Sequence, residues 1–178
     1  IRRGKVPTER ELAALTARYD AIGQWDNVTL QTMGNEQKNK LETILGIDSV
    51  YLAYLHMPNS MEQAVESIAA AGYTSILSIV TSPFYSMVGT GAYERKLQSI
   101  LQAYPYISSE SIKSWWDQPQ FFEYWCSQLV AANPLQADIA CIFSAHSVPI
   151  STVGTYEDEV ISASNRIAKT IGLNHWYQ

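Results

Sequence analysis

The chain has 178 residues, a formal net charge of −5 and 47% hydrophobic residues. That length accommodates one large domain or two small ones with a real apolar core. Net acidity without a basic stripe argues against a nucleic-acid binder, and no apolar run is long enough to cross a bilayer as a helix.

Thr8-Glu9-Arg10-Glu11 is a capping box, followed at helical spacing by Leu12, Leu15, Tyr19 and Ile22. Gly23 stops that helix. A second helix is predicted over 29–45, closed by Gly46. The apolar run "SVYLAYL" (49–55) reads as a strand. Ser60 is placed to cap a helix carrying Met61, Val65 and Ile68, which stops at Gly72. "TSILSIV" (74–80) reads as a buried strand. After the loop "TSPFYSMVGTG" a helix is predicted over 92–103, and "YISSESI" (106–112) reads as a short strand. Pro119 suits the first turn of the next helix, which holds Phe121, Phe122, Trp125 and Leu129. "ADIACIFSA" (137–145) is the next strand. A last helix is predicted over 157–171, ending at Gly172, with a further strand beginning after it.

Strands thus alternate with helices, the pattern of an α/β fold with mostly parallel sheets and helices on both faces. The stretch "SWWDQPQ" (114–120) marks a boundary. It divides a first α/β lobe, 1–116, from the start of a second, 117–178. Cys126 and Cys141 are isolated and lack CxxC spacing, so both are expected to be buried as small apolar residues rather than paired or bound to zinc. A cytoplasmic location and a monomeric state are the default expectations. A peripheral membrane contact would leave no signature in such a chain.

In open parallel sheets, ligands bind beyond the C-terminal ends of the strands. By that rule His56 and His146, each following a strand, fall on the functional edge. His175 precedes a strand and falls on the opposite one. The same edge gathers Ser82, Tyr85, Ser86, Thr90 and Tyr93 after one strand, with Ser144, Ser147 and Ser151 around His146. A lining rich in hydroxyls and aromatics but poor in charge suits a large, flat, mostly apolar ligand better than a polyphosphate. Neither GxGxxG nor GxxxxGK[ST] occurs, nor GxSxG, nor HExxH. On its own, His146 is equally a hydrogen-bonded strand terminator and a catalytic group.

Read in series, several segments resemble the ferrochelatases. "FSAHSVP" (143–149) resembles their strand running into S-[AS]-H-S-[LIV]-P. "IRRGKVPTERELAALTARYDAIG" (1–23) resembles the early IRRG…RYxxIGG segment, especially of the coproporphyrin type from Gram-positive bacteria. "VYLAYLHMPNSMEQAV" (50–65) resembles the segment with a histidine near a proline. "SIVTSPFYSMVGTGAYER" (78–95) resembles the segment whose loop packs against the porphyrin, and "SWWDQPQFFEYW" (114–125) matches W-x-D-x-P-x-F-x-x-Y-W. The matches fall in family order and touch most of the chain.

The resemblance implies a class II chelatase-like fold of two Rossmann-like lobes, incomplete here at both ends. It also implies insertion of Fe²⁺, as substrate, into a porphyrin in heme biosynthesis, with coproporphyrin III favoured over protoporphyrin IX and no cofactor required. His146 would be the residue at the metal-insertion face, where a neutral imidazole accepts a pyrrole proton or ligates iron. Arg2 and Arg3 match basic residues at the cleft mouth and would pair with propionates; plain surface charge is the alternative. Arg18 would belong to an outer hydrated-metal site. His56 matches a second family histidine, with a hydrogen bond at the start of the following helix as its other role. Tyr85, Tyr93, Ser144 and Ser147 are candidate porphyrin contacts, the tyrosines being equally explained as core aromatics.

The chain departs from the family in two loops. GG-x-S-P-L is replaced by Gly23-Gln24-Trp25-Asp26-Asn27-Val28, and GDPY is reduced to Gly154-Thr155-Tyr156. The family's first strand, with its tyrosine, would precede Ile1, and its catalytic glutamate would follow Gln178. Glu157, Asp158 and Glu159 are assigned instead to the N-terminus of their own helix. The competing readings are a degenerate tetrapyrrole-binding chelatase-like protein without turnover and an unrelated α/β hydrolase using Ser147 and His146.

Overall fold

A computed structural model describes residues 6–23, 28–132 and 139–178. The chain divides into two compact units, residues 1–52 and 53–178.

The first unit holds two helices, α1 (Glu9–Ile22) and α2 (Val28–Leu45). The predicted capping box starts α1: Glu11 N–H donates to Thr8 Oγ1 at 3.3 Å, and Thr8 N–H to Glu11 Oε2 at 2.9 Å. Gly23 ends it in the left-handed conformation, φ 70°, which a side chain would resist. Neither helix buries a residue, and Leu12, Leu15, Tyr19 and Ile22 all remain exposed. On α2 the Lys38 ammonium lies 2.9 Å from Glu42 one turn on. The other Glu42 oxygen accepts Val50 N–H at 3.1 Å and so fastens the segment leaving the helix. The Lys38 hydrogen bond, aided by that of Val50, holds the Glu42 carboxyl below its ordinary value against a smaller opposing effect of burial.

The second unit opens with a correction. Residues 49–55, expected as a strand, form none. Tyr54 N–H bonds to Ser60 Oγ at 2.9 Å rather than to a neighbouring chain. A β-rich run becomes a strand only where a ladder partner exists, and no described strand supplies one. Ser60 is consequently not a cap. It is the first residue of α3 (Ser60–Ala70), behind Asn59 in the left-handed conformation at φ 55°. The apolar stripe of α3 behaves as its spacing predicts, with Met61, Val65 and Ile68 buried.

Strand β1 (Ser75–Ile79), helix α4 (Thr90–Leu101) and strand β2 (Ser108–Ile112) follow as a crossover unit. The strands pair in parallel from Ser75↔Ser108 to Ile79↔Ile112. Met61 and Val65 of α3 meet Leu97 and Leu101 of α4 and Ile107, with Ile76, Tyr93 and Tyr104 packed around them. Each such side chain withdrawn from water contributes about 1.5–3 kcal/mol. A Lys96–Glu62 ion pair also joins α4 to α3. β1 is not the fully buried strand expected from its composition. Its burial alternates, and Leu77 and Ile79 stay exposed on the face opposite Ile76, the pattern of a sheet packed on one side.

The remaining elements are α5 (Pro119–Ala131), β3 (Cys141–Ile142), a 3₁₀ turn at Ile150–Thr152, α6 (Tyr156–Ile171) and β4 (Trp176–Tyr177). Pro119 sits in the first turn of α5 as predicted. Phe122 of α5 packs on Ala163 and Ile167 of α6, flanked by Phe84, Trp116, Phe121, Leu129 and Phe143. The Arg166 guanidinium lies 3.6 Å over the Phe122 ring, a cation–π contact. β3 and β4 pair in parallel, Cys141↔Trp176 and Ile142↔Tyr177. β3 is shorter than the 137–145 predicted, of which 137 and 138 lie outside the described residues. Its pairing ends where Phe143 N–H reaches Tyr177 O at 2.9 Å, and Ser144 onward finds no ladder partner.

The two short parallel sheets and their crossover helices are those of an α/β protein. No described helix is long and apolar enough to cross a membrane. Cys126 and Cys141 are free and half-buried rather than buried.

Candidate active site

The loop after β1 is built by short-range hydrogen bonds. Ser86 N–H donates to Thr90 Oγ1 at 3.1 Å, and Gly89 N–H to Ser86 Oγ at 3.0 Å. Ser86 and Thr90 are both buried, so their hydroxyls satisfy backbone groups rather than face a ligand. Arg95 of α4 reaches back to Met87 O at 2.7 Å. The turn is tight: a Cβ on Gly89 would lie 2.7 Å from Ser86 Oγ, and one on Gly91 would lie 3.1 Å from the Tyr85 hydroxyl. Behind the loop, Trp115 Nε1–H donates to Val80 O and Trp115 N–H to Pro83 O, each at 3.0 Å. Phe84 stacks edge-to-face on Phe121 and on Tyr156, with ring centres 6.0 and 6.1 Å away.

This loop is tied to the segment that follows His146. Met87 N–H donates to Thr152 O at 3.2 Å, in the 3₁₀ turn. The Tyr85 ring lies 3.6–3.7 Å from where a Gly154 Cβ would stand. Tyr85 N–H donates to Glu159 Oε2 at 2.8 Å, the oxygen that also accepts the Ser114 hydroxyl at 3.0 Å. Glu159 Oε1 accepts the Thr155 hydroxyl at 2.7 Å. One carboxylate in the first turn of α6 therefore gathers donors from three segments. Sequence reasoning assigned Glu159 only to its own helix terminus. Thr155, four residues earlier, was a local hint; Tyr85 and Ser114 are too distant in sequence to leave one.

Ser144, His146 and Ser147 are all exposed beyond β3. None forms a hydrogen bond with a described residue, so among the described residues no bond holds His146 at the strand end or joins Ser147 to it. Tyr85 is half-buried in the loop just described, whereas Tyr93 packs against the Met61–Leu97 core. His56 is exposed in the turn before α3, without the strand expected to precede it. His175 lies just before β4, its carbonyl accepting Cys141 N–H at 3.0 Å. Arg18 is exposed on α1 in the first unit. Arg2 and Arg3 lie outside the described residues, as does most of the departing loop after Gly23. Among the described residues no three His, Cys, Asp or Glu side chains converge as a metal site.

A family model described as ferrochelatase matches residues 3–178. The coproporphyrin III ferrochelatase of Halalkalibacterium halodurans is 32% identical over 99% of this chain and 60% of its own length. That of Bacillus pumilus is 29% identical over 99% of this chain and 60% of its own length. That of Staphylococcus aureus is 31% identical over 84% of this chain and 51% of its own length. The chain thus spans at most about 60% of these curated relatives.

Proposed function

The chain belongs to the ferrochelatase family, and we propose that the polypeptide carrying it inserts Fe²⁺ into a porphyrin, coproporphyrin III before protoporphyrin IX. The observation that carries this reading is the fastening of the loop after β1 to the segment after His146, by Tyr85 N–H to Glu159 and Met87 N–H to Thr152 O. The segment that resembles the family's porphyrin loop is thereby fastened to residues 152–159, which follow the FSAHSVP stretch in the chain.

Insertion exchanges two pyrrole N–H protons for one divalent cation, so charge balances only if a base receives those protons. His146, exposed and without a hydrogen bond to another described residue, takes a proton from a pyrrole nitrogen and passes it to water. Tyr85 and Tyr93 offer aromatic surface to the flat macrocycle, and Ser144 and Ser147 offer hydroxyls beside His146. Arg2 and Arg3 pair with the propionates, and Arg18 serves an outer hydrated-metal site. The reading divides the chain at 116/117 into one lobe and the start of a second, and places a monomer in the cytoplasm with no resident cofactor.

The test is metallation of coproporphyrin III by the full-length polypeptide under anaerobic Fe²⁺, followed by absorbance. His146→Ala should reduce turnover by at least about 10²-fold, the usual scale for a lost acid–base group, with an unchanged circular dichroism spectrum. Ordinary turnover in that variant would remove His146 from the mechanism. Porphyrin binding without metallation by the unsubstituted protein would favour a degenerate tetrapyrrole binder instead.

A further inference from the structure

We propose that Glu159 is a positioning residue for the porphyrin, holding loop 82–89 and its Tyr85 against the segment that follows His146. The proposal rests on the ferrochelatase reading above and deepens it.

Three donors converge on this half-buried carboxylate: Tyr85 N–H at 2.8 Å, the Ser114 hydroxyl at 3.0 Å and the Thr155 hydroxyl at 2.7 Å. They come from the loop after β1, the segment after β2 and the start of α6. A carboxylate only accepts, and its two oxygens offer sites for all three donors at once. Hydrogen bonds to an ionised acceptor are roughly twice as strong as neutral ones. The N-terminal turn of α6, where Glu159 sits, also favours negative charge. The Glu159 bond fixes the backbone of Tyr85 itself, while its ring rests beside Gly154 and its hydroxyl beside Gly91. Glu159 thus acts on the macrocycle through Tyr85, without touching it.

Removing the carboxylate leaves Tyr85 N–H and the Thr155 hydroxyl without their acceptor, while the Ser114 hydroxyl keeps Pro83 O at 3.2 Å and His146 is untouched. In the full-length polypeptide, Glu159→Ala should therefore raise KM for coproporphyrin III about ten-fold and leave kcat within about two-fold, the signature of lost binding rather than lost chemistry. Glu159→Gln keeps an acceptor oxygen for Tyr85 and should return KM to within about three-fold of the starting value. Amide hydrogen exchange at Tyr85 should quicken in Glu159→Ala and not in Glu159→Gln. A merely structural role would lower the active fraction, and so kcat, at unchanged KM.

Unchanged KM and unchanged Tyr85 exchange in Glu159→Ala would overturn the proposal. If that variant does not fold, Ser114→Ala replaces it, with a smaller KM increase supporting the proposal and an unchanged KM overturning it. If the unsubstituted protein does not metallate, the ferrochelatase reading fails separately. Coproporphyrin III binding, read by tryptophan quenching, then decides. Weaker binding by Glu159→Ala supports the positioning role; equal binding, or no binding by either protein, overturns it.

Discussion

Cys126 packs beside the Phe122 cluster, and Cys141 starts β3. Burial pushes both thiols above their ordinary value, with Arg166 pulling Cys126 partly back. Reactivity follows the thiolate, so burial and a raised pKa act in the same direction. We expect the folded protein to react with a thiol-specific disulfide reagent at mildly alkaline pH at least about ten-fold more slowly than the unfolded chain. Reaction of both thiols at the unfolded rate would mean that neither environment is as drawn. His146 is the contrasting residue. Its position beyond a strand was legible from the apolar run before it, and its family motif was legible too. Its exposure was not, because that depends on where the β3–β4 ladder stops. Glu159 stands in the first turn of its own helix as expected, but its bonds to Tyr85 and Ser114 were not legible, those partners being far away in sequence.

Elements that rest on local chemistry were the readable ones. Thr8 with Glu11, Pro119, Gly23 and Gly172 set their helix ends within a turn of the residues that signal them. The run 49–55 failed because strand formation needs a partner that composition cannot supply. A pH test belongs at this scale, on α2. Lys38 lowers the Glu42 pKa from 4.5, so the folded state binds that proton less readily than the unfolded chain. The resulting stabilisation is complete above the ordinary carboxylate range and is lost as pH falls through the lowered folded value. Glu42→Gln should therefore be less stable than the unsubstituted protein at neutral pH, and the gap should close on acidification below 4.5. Urea melts over a pH series measure it. A gap that persists unchanged in acid would show that lost packing, not the ion pair, separates the two proteins.

For the whole molecule, the alternation of helices and strands was legible as fold class, since 3.6- and 2-residue periods survive without tertiary detail. Which residues pack around Phe122 in the second of its two small cores was not. It depends on which distant aromatics meet, as Phe84 meets Phe121 and Tyr156. The same distances have a consequence in time. The capping box of α1 closes over three residues, but the bonds of Glu159 to Tyr85 and Ser114 close loops of 74 and 45. Loop closure of that length is paid for before its contacts form, and non-local topologies assemble slowly. In refolding followed by ellipticity and pulsed hydrogen exchange, helical signal should therefore recover before the Tyr85 amide gains protection. The junction around Glu159 would be the last part of the molecule to exist.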